Sequence, residues 1–400
     1  ELTGHSDDLF HTKILNEFGL EIFNELFPVY PEELDPIIPE SKKWTFTPLK
    51  PKPPIELHKS DPGIDELQFK SNPDNGSNNW AISGSRSRTG LPILANDPHL
   101  RMTLPAIWYE IHLVSPNVNV YGASLLGAAG VVVGFNKDIA WGLTNGQYDV
   151  MDFYDIYFRD KKLNEYWYDG EWHPTTKRIE IIKVRGGETI QDTVVYTHHG
   201  PVIWKNDKEK SNRFGKSIPT GRAMQWLAHK PSKEGKTFYQ LNRAKNYDEY
   251  LKALEDFSCP GQNFVFASQE GDIAIWQATD IPVKWKHQGQ FILDGTDSKN
   301  DWQMYAPSSH RPHVLNPERG FVSSANQNPV TEKYPYFYAG GYALPFRGAR
   351  INQLLTELNN GDYTDFQFIQ LDNKNILAER IVQESIPILE KLKLNKIESQ

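Results

Sequence analysis

The chain has 400 residues, 38% of them hydrophobic, which is matter enough for one large core or two. Its net charge of −8 is spread along the sequence, and no Lys/Arg-rich stripe is present to grip a phosphate backbone, which argues against nucleic acid as a partner. The single cysteine, Cys259, excludes an internal disulfide and a cysteine-built zinc site, and no apolar run approaches the roughly 20 residues of a membrane span.

Residues 8–27 set Leu9, Ile14, Phe18, Ile22, Phe23 and Leu26 at helical spacing behind Ser6 and Asp7, which can cap the first turn, so a helix is predicted there. Between Pro28 and Asn75 the chain carries ten prolines, which favours an extended connector or a removable spacer over regular structure. Composition changes at Ser77. Short β-branched and aromatic runs follow at 108–114, 131–135, 152–158, 178–184 and 193–196, separated by Gly, Pro and Asn, and predict a sheet-rich region. A helix is predicted over 235–257, then a hairpin pairing Phe264–Ala267 with Ile273–Trp276 through a turn at Glu270-Gly271-Asp272. Further helices are predicted over 349–358 and from Phe366 to the C-terminus. The aromatic content, 11 Trp, 18 Tyr and 20 Phe, suits broad sheet faces or a carbohydrate-binding type of groove.

The segment Asn75-Gly76-Ser77-Asn78-Asn79-Trp80 puts a small hydroxyl directly after a glycine, where the Pro-rich connector meets the first strand. Read alone, Asn-Gly is an ordinary turn dipeptide. A strained Gly-Ser peptide can also rearrange to an ester and hydrolyse, leaving serine as a chain terminus. Asn96-Asp97-Pro98-His99 and Trp141-Gly142-Leu143-Thr144-Asn145 follow in order. With them the segment resembles the penicillin acylase family of N-terminal-nucleophile hydrolases. The resemblance continues through Arg243-Ala244-Lys245-Asn246, Asn263-Phe264-Val265-Phe266-Ala267, Gly271-Asp272-Ile273, Leu371-Asp372 and Leu377-Ala378-Glu379-Arg380, and so covers essentially the whole chain.

The resemblance implies an α+β fold, a four-layer αββα sandwich of two stacked, largely antiparallel sheets flanked by helices. It implies self-cleavage at Gly76-Ser77, with residues 1–60 ending the first chain, 61–76 as spacer and 77–400 opening the second. The two chains would stay together as a heterodimer, in relatives that are mostly periplasmic or secreted. Ser77 becomes the nucleophile and its own α-amine the base, which suits a group whose unperturbed pKa is about 7.7–8.0. The side-chain amide of Asn263 and the backbone N–H of Asn145 become oxyanion donors. His99 orients the nucleophile, or is a histidine satisfied by backbone under the Pro98 turn.

Asp149, Met151 and Asp152 match the family's calcium loop, two carboxylates and a carbonyl offering hard oxygen ligands to one structural ion; as bare sequence they are two solvated aspartates. The family's further acidic ligand falls before Glu1, and no organic cofactor is expected. Lys284 lies where relatives often carry arginine, and on its own reads as a solvated lysine. The acyl-pocket positions are aliphatic here, Leu100, Val133 and Leu143, which suits aliphatic acyl chains such as those of N-acyl-homoserine lactones; all three can equally be sheet core. The alternatives are a non-catalytic ligand-binding protein on the same scaffold, and an ordinary serine hydrolase, for which no Gly-x-Ser-x-Gly elbow is present.

Overall fold

The computed structural model describes residues 7–31, 34–61, 75–128, 130–206 and 220–392. It opens with helix α1, Asp7–Leu26, broken at Gly19, whose φ of 82° no helix accommodates. The break divides the predicted apolar stripe. Leu9 and Phe23 are buried, while Phe18, Ile22 and Leu26 face outward. Residues 34–61 hold neither helix nor strand, as the prolines require, yet they are bound to the body. Ile37 and Ile38 are buried and donate to the carbonyls of Asn328 and Pro329 at 3.2 and 3.0 Å. Most of the expected spacer, 62–74, lies outside the described residues.

Seven strands lead from the Gly76–Ser77 junction, where cleavage is expected: β1 (Gly76–Ile82), β2 (Ile93–His99), β3 (Trp108–Ser115), β4 (Val118–Leu125), β5 (Val133–Asn136), β6 (Ile139–Asn145) and β7 (Met151–Tyr157). β1 is the middle strand of a three-stranded sheet between β2 and Phe321–Ser324. Facing it is a seven-stranded sheet ordered His313–Leu315, Ile273–Ala278, Gln262–Ser268, β6, β5, β4, β3, antiparallel throughout. The predicted hairpin at Gly271 forms, with φ +103° at the glycine.

Side chains alternate along a strand, so each sheet has two apolar faces to bury. Ala81 of β1 meets Val265, Ala267, Ile273 and Ile275 between the sheets. Trp80 and Ile82, pointing the other way, pack on α4 (Phe346–Glu357) and α5 (Tyr363–Leu371) through Ile351, Leu355 and Phe366. Trp141, Leu143, Phe264 and Phe266 line the far face of the larger sheet, against α2 (Glu234–Leu241) and α3 (Tyr247–Glu255). Helix, sheet, sheet, helix is the expected αββα order. A six-stranded sheet stands beyond it, built on β7 and holding the predicted strands near 178–184 and 193–196.

Two predicted helices are each divided. The 235–257 helix breaks at Asn242, buried and bonded through its amide to both backbone groups of Val131, and restarts where the Asn246 side chain accepts from Glu249 N at 3.0 Å. The C-terminal stretch divides into α5 and α6 (Ile376–Leu389) across residues 372–375, with the Asn375 side chain capping the second.

Candidate active site

Ser77 is the second residue of β1, and the strand's alternation turns it, like Asn79 and Ala81, toward the seven-stranded sheet. Its Oγ donates to the Gly76 carbonyl at 2.5 Å, so the hydroxyl stands against the peptide bond expected to be cut. The Ser77 N–H donates to Asn326 Oδ1 at 2.7 Å. Asn326 Nδ2 in turn donates to the Asn145 carbonyl at 2.9 Å, and the same carbonyl is 3.4 Å from Asn263 Nδ2. One amide side chain therefore links the nucleophile candidate to both oxyanion candidates.

Asn263 is almost fully buried and points between the sheets from strand Gln262–Ser268, its Nδ2 also 3.1 Å from Thr144 Oγ1 and 3.2 Å from Ser324 Oγ. Asn79 Nδ2 donates to the Asn263 carbonyl at 3.1 Å, fixing one sheet on the other at this point. Asn145 enters through its carbonyl oxygen, which receives both amides.

His99 pairs directly with Gly76 across the β1–β2 ladder, its Nδ1 3.4 Å from where a Cβ on Gly76 would stand. Its Nε2 lies 2.9 Å from Asp97 Oδ2 and 3.3 Å from Asn78 Nδ2. The hydrogen bond from His99 holds the Asp97 carboxyl below its ordinary range, against the opposing effect of burial. The Asp97 carboxylate and the ladder hold His99 beside the Gly76–Ser77 junction.

Arg347 and Asn326 were not legible as site residues. Arg347 Nη1 donates to the Ser77 carbonyl at 2.9 Å and to Asn78 Oδ1 at 2.5 Å, and Nη2 donates to Asn326 Oδ1 at 3.1 Å. A Cβ on Gly76 would stand 3.0 Å from Nη2, so the glycine admits the guanidinium to the junction. Burial lowers the Arg347 pKa and Asp97 opposes it. A signal was present: Arg347 is in the first turn of α4, where the helix dipole favours acids. Asn326 carried another, a polar residue in the run Ser323-Ser324-Ala325-Asn326 closing an apolar strand, held at φ 65°.

The three acyl-pocket positions are not gathered round one cavity. Leu143 is buried in the cluster against α2 and α3, Val133 packs on that cluster, and Leu100, just past β2, is 43% exposed.

The carboxylates expected to ligate calcium converge on a different cation. Lys284 Nζ is 2.6 Å from Asp149 Oδ2 and 2.7 Å from Asp152 Oδ1, and its side chain is 1% exposed, so it is not the solvated lysine its sequence context suggests. Burial alone would lower its pKa, but the two carboxylates outweigh burial and raise it. Trp302 Nε1 donates to the other Asp152 oxygen at 2.5 Å. Gly289, at φ +81°, closes over the cluster, where a Cβ would lie 2.4 Å from Nζ and 2.6 Å from Asp149 Oδ2. A divalent ion about 4 Å from that ammonium would be repelled by about 8 kcal/mol at an effective dielectric near 20. With Lys284 in place these residues do not fit calcium.

A family model described as Penicillin amidase matches residues 2–399, and the chain belongs to that family. Among curated relatives, an acyl-homoserine lactone acylase QuiP of Pseudomonas aeruginosa is 30% identical over 312 residues, 76% of this chain and 36% of the relative. The penicillin acylase 2 proenzyme of Pseudomonas sp. (strain SE83) is 27% identical, covering 70% of this chain and 35% of its own length. A penicillin G acylase of Escherichia coli is 28% identical, covering 65% and 29%. The chain thus spans about a third of the length of these relatives. A thermostable penicillin G acylase from Alcaligenes faecalis superposes with a TM-score of 0.66 at 18% identity over 80% of this chain and 56% of that one, and so has the same fold. Among the described residues no helix is long and apolar enough to cross a membrane.

Proposed function

We propose that the chain is part of an amidohydrolase that cleaves linear N-acyl compounds through an acyl-enzyme on Ser77, after self-cleavage at Gly76–Ser77. The observation that carries the reading is the Ser77 hydroxyl, 2.5 Å from the Gly76 carbonyl oxygen at the mouth between two sheets, within one amide network with Asn145 and Asn263.

In maturation Ser77 Oγ attacks the Gly76 carbonyl carbon, the C–N bond breaks with the proton passing to the Ser77 nitrogen, and water hydrolyses the resulting ester. The freed amine keeps Asn326 Oδ1 as its acceptor, is positioned to take the Oγ proton, and is the only base the step requires. Asn263 supplies the oxyanion donor once its present acceptors yield to substrate. The relatives named as acyl-homoserine lactone acylases support an aliphatic acyl group. The same reading carries an exported location, which cell fractionation tests.

Residues 34–61 would remain with the nucleophile-bearing part after cleavage. His58 Nε2 and Ser60 Oγ bind Asp155 Oδ2 at 3.0 and 2.5 Å, Arg222 reaches the Asp61 carbonyl at 3.1 Å, and Ile37 and Ile38 lie in the core. The test is intact mass of the full-length protein after expression. A fragment beginning at Ser77, absent from Ser77→Ala, with both fragments co-eluting under native conditions, is the expected result. Folded wild-type protein that hydrolyses N-acyl amides with the bond intact would overturn the proposal.

A further inference from the structure

We infer that the ammonium of Lys284 is the resident cation of the Asp149–Asp152 site, so that this protein does by a side chain what a bound divalent ion would do there. It rests on the geometry of the cluster and not on the proposed reaction.

Two carboxylates, one from the β6–β7 loop and one from β7, each present an oxygen to a single nitrogen, at 2.6 and 2.7 Å. The lysine enters from a different part of the chain, the segment after strand Ile273–Ala278, where its backbone bridges to Phe337. The contact therefore ties β7 to two distant segments, as a coordinated ion would. The remaining directions around Nζ are occupied. Trp302 presents its ring 5.7 Å from Nζ and its Nε1–H to Asp152, and Gly289 covers the cluster so closely that even a methyl group would collide. Asp152 is fully buried, and a buried carboxylate with neither a cation nor hydrogen-bond donors is not tolerated. A site with that much acid and no lysine would have the hard-oxygen character of a divalent-cation site. What the cation secures is the turn that follows Asn145, four residues before Asp149, and with it the carbonyl on which the amide network converges.

The experiment uses the full-length wild type and Lys284→Ala. Wild type is expected to carry no stoichiometric calcium by elemental analysis and to keep its melting temperature in EDTA. Lys284→Ala is expected to melt roughly 5 °C or more lower and to regain most of that difference in millimolar calcium, which leaves wild type unmoved. Stoichiometric calcium in wild type, or a fall in its melting temperature on chelation, overturns the inference, and both readings stand even where Lys284→Ala does not fold. A folded Lys284→Ala that calcium does not stabilise also overturns it, because the acids would then not be a cation site.

Discussion

Asn326 receives the Ser77 N–H, receives Arg347 and donates to the Asn145 carbonyl, so a single side chain sets the distance between nucleophile and oxyanion candidates. Asn326→Leu is expected to leave the precursor largely uncleaved, seen as a persistent full-length band. Asn263→Ala, in material that does mature, should lower kcat by about 10²- to 10³-fold with KM changing little, because an oxyanion donor acts in the transition state; a loss confined to KM would place Asn263 in ground-state binding. Removing the Arg347 guanidinium takes the donor from two acceptors, the Ser77 carbonyl and Asn78 Oδ1, each worth about 1–3 kcal/mol when buried, and one of two donors from Asn326 Oδ1. Arg347→Lys should recover only part of that, since one ammonium cannot span them, and a Lys variant that matches wild type in melting temperature and cleavage rate would refute the geometry. Ser77, His99, Asn145 and Asn263 could be named as candidates from the sequence because each stands in a short motif of its own. Asn326 and Arg347 could not, because they reach Ser77 from 249 and 270 residues away, from a strand end and a helix start that no periodicity marks.

Helices and alternating strands were legible where the hydrophobic period was long and unbroken, as in β3, β7 and the hairpin at Gly271. Their interruptions were not. Asn242 breaks the 235–257 helix for a tertiary reason, its amide serving both the N–H and the carbonyl of Val131 at 2.9 and 2.8 Å. Asn242→Ala would leave that buried pair without partners and is expected to cost about 3 kcal/mol in denaturant unfolding. At α5 the Asp362 side chain accepts from Thr364 N and Asp365 N while Asp365 returns to Asp362 N, a reciprocal cap. Asp362→Ala is therefore expected to cost about 1 kcal/mol, and a neutral result would mean that tertiary packing alone holds the start of α5.

Across the whole molecule, a buried and a half-buried histidine set how stability responds to acid. His199 stacks on Tyr154 at 4.0 Å, its Nε2 is 3.0 Å from Asp301 Oδ1, and burial pushes its pKa down to about 4 although Asp301 pulls the other way. His313 stacks on Trp276 at 4.0 Å, lies 2.7 Å from the Arg311 carbonyl, and is likewise pushed by burial to about 4. In the unfolded chain both titrate near 6.5. Between pH 6.5 and 4 the unfolded state binds the extra protons, so their contribution to stability is complete above 6.5 and is lost as pH falls toward 4, by at most roughly 3 kcal/mol each. Burial would raise the Asp301 carboxyl, but His198 and His199 hold it well below the usual range, so its own loss begins only below about 4 and occupies a separate window. The melting temperature should therefore fall steadily from pH 7 to pH 4.5, and His313→Gln should flatten that slope whatever it does to the melting temperature at pH 7. Equal slopes in wild type and variant would show that His313 is already protonated in the folded protein, and the core between Trp276 and Arg311 would then have to admit a charge.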